Sequence, residues 1–306
     1  MNEKITVLTV SWYSANLLEV MISSLLSKAE SPECLSVLVI DNTDGVDTEL
    51  PKLKAKFSGI EILPFKPENS NALNAHAEAL NFGFKKIETD YFLTIDPDVF
   101  VFKKKWDSFC LNLIENKQTS AIGTVYPFWW IGTYHNFPSP VFCFGRCGAF
   151  KKLGPDWLPL QLGLMRKIIS FIQRQIVRGF FLCRRKILSK LSFLRRIVFS
   201  TSDYIPVCSF DTGSKMALDI LHNQDFSFSF FEAVFPDQLN IMKNKIFENS
   251  DSLKCLAEYY EIYLFNNELI LTHQYGSQNF FLRTDKGKDS NYWKKLISDV
   301  EELNNG

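Results

Sequence analysis

The segment that decides the fold is YFLTIDPDVFV, residues 91–101. An apolar, partly β-branched run typical of a buried strand ends in Asp96 and Asp98, which a single proline separates. If the run is a parallel strand, both carboxylates lie at its carboxyl end, where open α/β sheets bind ligands. Two carboxylates this close repel each other unless a cation or a shared proton lies between them. The segment therefore predicts a site for a hard divalent metal.

Alternating strands and helices surround this segment. Apolar, β-branched runs at 5–10 and 35–40 predict buried parallel strands, and residues 60–64 predict a short third strand. Apolar residues at helical spacing predict helices over 17–26 and 71–87. This order indicates an α/β fold with a mostly parallel central sheet and helices on both faces.

The composition is that of a soluble globular protein, with 46% apolar and 22% charged residues among 306. Basic and acidic residues balance at 34 each, so the net charge does not indicate nucleic acid. Seven cysteines without a C-x-x-C pair disfavour disulfides or zinc and predict reduced thiols in a cytoplasm. Residues 1–4 lead straight into a strand, so no signal peptide is expected. No uncharged apolar stretch reaches the ~18 residues of a membrane span.

A basic, apolar segment occupies residues 162–200. Between Asp156 and Asp203 there are ten Lys or Arg residues and no Asp or Glu, which leaves 24 basic against 34 acidic residues elsewhere. This composition predicts a basic amphipathic helix or helix pair, of the kind that lies on an anionic membrane surface. Packing against the body or another subunit, and binding an anionic acceptor, are the alternatives. The helical spacing argues against nucleic acid.

The rest of the second half predicts further elements of the same domain. Aromatic, Gly and Pro residues over 126–150 indicate loops that shape a pocket. A helix is expected to follow 210–213, and a hairpin over 259–272 turns at 266–267. A polar helix around 293–303 closes the chain.

Four pieces of the amino-terminal part match a known family in residue type, order and spacing. They are 5–26, 39–44, 81–83 and 96–99, the last of which is similar to a D-x-D motif. Together they resemble a family 2 glycosyltransferase of the GT-A fold. The resemblance implies an inverting transfer of a sugar from a UDP- or dTDP-type donor to a glycan or lipid-linked acceptor. Synthesis of a bacterial surface polysaccharide is the expected setting, in the cytoplasm or on the inner face of the cell membrane.

The resemblance also assigns roles to five residues. Asp41 would accept hydrogen bonds from the base or ribose, and Asp96 would face the nucleotide or contribute to the metal shell. Asp98 would bind Mn²⁺ or Mg²⁺, and His273 would complete the metal site. Asp211 would remove the proton of the acceptor hydroxyl. A divalent ion is chemically suited to such a reaction, because it neutralises the charge that develops on the diphosphate.

Several of these residues have alternatives. The family's base often stands in a Glu-Asp pair, whereas residue 210 here is Phe, so Glu232 and Asp237 are kept as alternatives to Asp211. Asp41 and Asp211 could also be local caps. His273 could be a strand-end histidine bonded to the backbone.

Four further residues could line the donor or acceptor pocket: His76, Trp129, Trp130 and Tyr134. Aromatic residues in a chain with 28 Phe more commonly pack in the core.

We expect one GT-A domain over 1–306. Its parts are a nucleotide-sugar-binding half (1–101), an acceptor and catalytic half (102–161 and 201–280), the basic insert (162–200) and a C-terminal helix (281–306).

Two other functions compete with this one. A sugar nucleotidyltransferase would carry a Gly-rich, basic loop after the first strand, and residues 11–16 contain neither glycine nor a basic residue. A catalytically degenerate, membrane-associated scaffold would fail to bind nucleotides in the presence of Mn²⁺.

Overall fold

The computed structural model describes residues 3–126, 134–161, 163–165, 168–169, 171–172, 211–220, 225–234, 245–248, 250–274 and 289–305. The strands are β1 (Ile5–Ser11), β2 (Leu35–Asp41), β3 (Ile60–Pro64), β4 (Tyr91–Ile95), β5 (Val99–Val101), β6 (Ala121–Thr124), β7 (Phe142–Arg146), β8 (Phe228–Ala233), β9 (Glu261–Phe265) and β10 (Glu268–His273). The helices are α1 (Ala15–Lys28), α2 (Leu50–Lys56), α3 (Ala72–Phe84), α4 (Trp106–Lys117), α5 (Cys147–Leu153), α6 (Ser214–Ile220), α7 (Asp251–Tyr259) and α8 (Ser290–Asn305).

These strands form one 10-stranded sheet in the order β3-β2-β1-β4-β7-β6-β8-β9-β10-β5. The first four of these strands are parallel, and β6 is parallel to β8. The remaining neighbours are antiparallel. The prediction of a central sheet within an α/β fold is confirmed; its parallel character holds for the amino-terminal strands, and the complete sheet is mixed.

The last strand of the sheet begins close to the end of a central strand. β4 is the fourth strand across the sheet and β5 the last, yet only residues 96–98 connect them. Such a linker can bridge only about 15 Å. The sheet must therefore curve until β5 begins beside the carboxyl end of β4, which closes the site region with strands from the second half.

Helices cover both faces of the sheet, as predicted. On one face α1, α2 and α4 bury side chains such as Leu18, Leu53 and Trp106. On the other face α3, α5 and α6 bury Leu80 and Phe150, among others. The two cores together fix the direction of the parallel strands, and so place the carboxyl ends of β1, β2 and β4 at one edge.

A third core joins the carboxy-terminal elements. Leu256 of α7 and Trp293 and Ile297 of α8 pack together beside the hairpin of β9 and β10. The hairpin turns at Asn266 and Asn267, whose φ angles of 49° and 63° are those of a type I′ turn. The predicted hairpin therefore forms where the sequence placed it.

Four helices, α2, α4, α5 and α7, were missed, and one predicted segment lies mostly outside the described residues. α2 contributes only two buried apolar residues, Leu50 and Leu53, which is too short a pattern for a periodic signal. Of the predicted insert 162–200, the described residues 164–165, 168–169 and 171–172 are helical. In the described part of the chain, no helix is long and apolar enough to cross a membrane.

Candidate functional site

Asp96 and Asp98 lie at the carboxyl end of the central strand β4. Asp96 directly follows β4, and its backbone N–H donates to the carbonyl of Val141 (3.2 Å). The carbonyl of Asp98 accepts from the backbone N–H of Gln274 (2.9 Å), which anchors the connecting turn to the end of β10. The backbone that carries both carboxylates is therefore hydrogen-bonded to residues that adjoin two other strands, β7 and β10.

His273 meets these acids from the other half of the chain. It is the last residue of β10 and pairs with Val99, the first residue of β5. Its Nε2 lies 3.2 Å from Oδ1 of Asp98 and 3.8 Å from Oδ2 of Asp96. The imidazole is almost fully buried, with 2% of its side chain exposed.

The three side chains have a spacing that suits a metal ion. One ligand atom from each of Asp96, Asp98 and His273 can be chosen so that all lie within 4.8 Å of one another. In an octahedral shell of about 2.1 Å radius, ligands at right angles are about 3 Å apart and opposite ligands about 4.2 Å apart. Two carboxylates and one imidazole match a hard or borderline cation such as Mn²⁺. The residues therefore fit the ion that the sequence predicts here.

The other ring nitrogen of His273 is held by a second acidic residue. Nδ1 lies 2.9 Å from Oε2 of Glu261, the residue paired with His273 on β9. The same oxygen accepts a hydrogen bond from the hydroxyl of Tyr263 (3.0 Å). The imidazole is thus fixed at both nitrogens between carboxylates.

The charges in this cluster are strongly coupled. Burial opposes a charge on His273, but the carboxylates of Asp98 and Glu261 outweigh it and raise the pKa of the imidazole to about 10. Burial also raises the pKa of Asp96, with smaller contributions from Asp98 and Glu261, against the opposing effect of His76 and His273. The cluster therefore has an excess of carboxylates that a cation would relieve.

His76 reaches the same site from helix α3. Its Nε2 lies 3.7 Å from Oδ1 of Asp96, while His273 is near the opposite oxygen of that carboxylate. The carboxylate of Asp96 thus stands between two imidazoles. α3 can approach the sheet because residue 83 is glycine: a Cβ there would lie 2.4 Å from Cδ1 of Leu8.

Asp41 lies at the carboxyl end of β2, as predicted, but its carboxylate is engaged by its own loop. Oδ1 accepts from the backbone N–H (3.0 Å) and hydroxyl (2.6 Å) of Thr43, and Oδ2 accepts from the N–H of Gly45 (3.0 Å). The side chain is buried. These contacts match the local-turn alternative, and the role of Asp41 towards a nucleotide stays a prediction.

Asp211 stands just before helix α6. Its carbonyl accepts from the N–H of Ser214 (3.1 Å), and the next residue, Thr212, accepts the buried hydroxyl of Tyr134 (2.6 Å). The pKa of Tyr134 is raised mainly by burial and further by the charges of Asp211 and Asp96. Both carboxylates therefore act on the same phenol, and the effect of Asp211 is larger than that of Asp96.

The other candidates are placed as follows. Glu232 is an exposed residue of β8. Tyr134 is buried in the core, which is the more common position for an aromatic residue. Trp129, Trp130 and Asp237 lie outside the described residues.

Two residues of the site were missed from the sequence, Glu261 and Tyr263. The predicted hairpin could have indicated which residues lie near His273, because residues opposite each other on neighbouring strands share a face. A regular two-residue hairpin would pair Glu261 with Thr272. The register shifts between Leu269 and Leu271, and this irregularity places Glu261 opposite His273 instead.

Comparison with known proteins agrees with the resemblance seen in the sequence. The model of glycosyl transferase family 2 matches residues 6–192, more than half of the 306 residues. The chain therefore belongs to glycosyl transferase family 2, and the predicted membership is confirmed. The comparison with curated proteins gave no match.

Two of the solved structures to which the chain is similar are the following. One is the mannosyltransferase PcManGT from Pyrobaculum calidifontis in complex with GDP-Man and Mn²⁺, at 14% identity over 49% of this chain and 46% of that chain, with a TM-score of 0.40. The other is S. aureus TarS 1-349 in complex with UDP-GlcNAc, at 13% identity over 50% of this chain and 48% of that chain, with a TM-score of 0.39. The match spans about half the length of each protein.

Proposed function

We propose that this chain is a metal-dependent, inverting glycosyltransferase. It moves a sugar from a nucleotide diphosphate donor of UDP or dTDP type to a glycan or lipid-linked acceptor, in the synthesis of a bacterial surface polysaccharide. The observation that carries the proposal is the cluster of Asp96, Asp98 and His273 at the carboxyl end of β4, in a chain of glycosyl transferase family 2.

The metal end of the site consists of Asp98 and His273, which would hold Mn²⁺ or Mg²⁺. When bound, the ion neutralises the charge that develops on the diphosphate as the sugar–phosphate bond breaks. The contact of 3.2 Å between Oδ1 of Asp98 and Nε2 of His273 supports this assignment, since neighbouring ligands of one ion lie about 3 Å apart.

The nucleotide end is assigned to Asp96 and Asp41. The carboxylate of Asp96 lies between His76, 3.7 Å from one oxygen, and His273, 3.8 Å from the other, so two imidazoles limit the positions it can take before a donor arrives. Asp41 holds the loop after β2 through Thr43 and Gly45, and that loop forms the neighbouring part of the same edge of the sheet. A site with fixed side chains binds its ligand at a lower entropic cost.

Asp211 is the proposed catalytic base. An inverting transfer needs a group that accepts the proton of the acceptor hydroxyl while its oxygen attacks the sugar carbon and the phosphate leaves from the opposite face. Asp211 comes just before helix α6, and its charge and that of Asp96 both raise the pKa of the buried Tyr134; this shared neighbour supports Asp211 as the base.

The test is a screen of nucleotide-sugars for Mn²⁺-dependent hydrolysis, with the wild-type chain and Asp98→Ala. We expect hydrolysis of one donor class that EDTA abolishes and that Asp98→Ala reduces by about 100-fold or more. Undiminished activity in Asp98→Ala would show that Asp98 is not the metal ligand. A well-folded wild-type chain that neither binds nor hydrolyses any nucleotide-sugar would favour the degenerate scaffold.

The lipid-linked acceptor is suggested by an exposed apolar face in the described part of the insert. We call this the insert face; its members are Leu164, Met165, Ile168, Ile169, Phe171 and Ile172, with exposures between 45% and 75%. On a regular helix these six positions fall within an arc of about 160°. The surrounding sequence, 157–202, contains ten basic and no acidic residues. An apolar face beside many cations is complementary to an anionic bilayer.

Vesicle flotation tests the insert face. We expect the wild-type chain to float with vesicles of phosphatidylglycerol and phosphatidylcholine, and less with phosphatidylcholine alone or at high salt. Phe171→Glu combined with Ile168→Glu should lower binding about tenfold or more. Leu303→Glu is the control, because Leu303 is a similarly exposed residue of α8. Equal flotation of all three proteins would contradict the membrane role.

A further inference from the structure

The two ring nitrogens of His273 face different carboxylates. An imidazole offers two nitrogens, and a metal ligand must present one of them without a proton. In this site Nε2 faces Asp98 (3.2 Å), and Nδ1 points away from the cluster towards Glu261 (2.9 Å). The hydrogen bond made by the outer nitrogen decides which nitrogen is available.

Glu261 determines the proton position at Nδ1. An ionised carboxylate can only accept hydrogen bonds, so the short Nδ1 to Oε2 contact requires a proton on Nδ1. When His273 is neutral, that proton leaves the lone pair on Nε2. This is the nitrogen that lies next to both Asp98 and Asp96.

Glu261 is itself held in place. Its Oε2 accepts from the hydroxyl of Tyr263 (3.0 Å), and its backbone carbonyl accepts from the hydroxyl of Thr272 (2.8 Å). Its side chain is only 10% exposed, so its negative charge needs nearby donors, which are the hydroxyl of Tyr263 and Nδ1 of His273. The shifted hairpin register brings Glu261 directly opposite His273. The contact is therefore a fixed part of the fold.

We propose that Glu261 is a positioning residue of the metal site: it binds the Nδ1 proton of His273 and so presents Nε2 to the ion. Tyr263 supports the same arrangement by holding the carboxylate of Glu261. The inference rests on the proposed metal site, and it adds a carboxylate behind the imidazole as the group that selects the ligating nitrogen.

The experiment measures Mn²⁺ binding to the full chain by EPR, with no donor and no turnover. Glu261→Gln keeps the size of the side chain but makes it neutral, and its amide can donate to Nδ1. We expect Mn²⁺ to bind about 10–100-fold more weakly than to wild type. We also expect the nitrogen coupling of a directly bound imidazole, seen by pulsed EPR, to be lost or much reduced.

Two further variants make the result specific. Tyr263→Phe keeps the carboxylate but removes one of its donors, so it should weaken Mn²⁺ binding by a smaller factor than Glu261→Gln. Glu268→Gln is the matched control, because Glu268 is an exposed glutamate of the same hairpin that pairs with Lys103. It should bind Mn²⁺ as the wild type does.

The outcomes separate this inference from the proposed function. If the wild-type chain binds no Mn²⁺, the metal site itself is wrong. If wild type and Glu261→Gln bind Mn²⁺ equally, with the same nitrogen coupling, the metal site stands and the role of Glu261 is overturned. If Glu261→Gln does not fold, Tyr263→Phe decides: unchanged affinity and coupling in that variant overturn the proposal.

Discussion

His273, the last residue of β10, pairs in register with Val99, the first residue of β5. Because Val99 directly follows Asp98, this backbone pairing places an imidazole from the end of the chain beside acids that follow the central strand. The arrangement depends on the curved sheet, in which only three residues separate the end of β4 from the start of the last strand, β5. The candidate metal site is therefore assembled by strand pairing, and its ligands stand on rigid elements.

Replacing Asp211 with Asn should remove the catalytic base while keeping the shape of the side chain. We expect kcat for sugar transfer to fall about 10²–10⁴-fold, with donor affinity and Mn²⁺ binding little changed. Steady-state kinetics with a saturating donor measures this. Glu232→Gln is the comparison, since Glu232 is an exposed residue of β8. If Glu232→Gln were the variant that loses activity, the base would have to be reassigned.

Asp41→Asn should destabilise the loop after β2. The amide would place an NH₂ group against the N–H of Gly45 or of Thr43, each of which now donates to a carboxylate oxygen. We expect the free energy of unfolding to fall by about 1–3 kcal/mol, measured by urea titration.

Asp44→Asn is the control for that loop. Asp44 is exposed and has a φ of 60°, a conformation that Asn adopts readily. Its unfolding free energy should match the wild type. A stable Asp41→Asn variant that no longer binds nucleotide would show that Asp41 acts on the ligand alone.

Gly123→Ala should be among the most damaging single-methyl changes in the sheet. A Cβ at Gly123 would lie 2.0 Å from the carbonyl oxygen of Phe142 and 3.1 Å from Cα of Cys143, both backbone atoms of β7. Backbone cannot move aside as a flexible side chain does, so we expect a loss of about 2–3 kcal/mol or more. Thermal or urea unfolding measures it.

The matched control for Gly123 is Gly148→Ala in helix α5. A Cβ at Gly148 would meet nothing within 4 Å, so this variant should be neutral or more stable by up to about 1 kcal/mol. Equal stability of the two variants would contradict the close approach of β6 and β7.

Thiol modification should depend steeply on pH at Cys147. Burial raises the pKa of this thiol to about 11, so only about 0.1% is thiolate at pH 8. The rate of alkylation by iodoacetamide should rise about tenfold per pH unit between 8 and 10 and level off only above 11. Mass spectrometry of the native protein measures it, with the partly exposed Cys34 as reference. A rate at Cys147 that is already constant by pH 9 would contradict the burial effect.

The sequence alone determined much of the amino-terminal half. The runs that became β1, β2 and β4 are almost entirely apolar or β-branched, because strands buried on both faces carry that pattern. The edge strand β3 is short and includes the exposed Glu61. The D-x-D segment after β4 could be recognised in the sequence because its two carboxylates interrupt an apolar run. The Asn266-Asn267 turn was equally local, because φ > 0 at two successive residues favours Asn.

The tertiary structure decided which distant residues complete the site. That His273 lies next to Asp98 follows from the pairing of β10 with β5, which is a contact between opposite ends of the chain. That Glu261 stands behind His273 follows from a one-residue shift in the hairpin, and period-2 patterns do not reveal such a shift. His76 meets Asp96 only because α3 packs closely against the sheet. Local patterns specify elements and their faces, whereas strand register and helix packing specify which side chains meet.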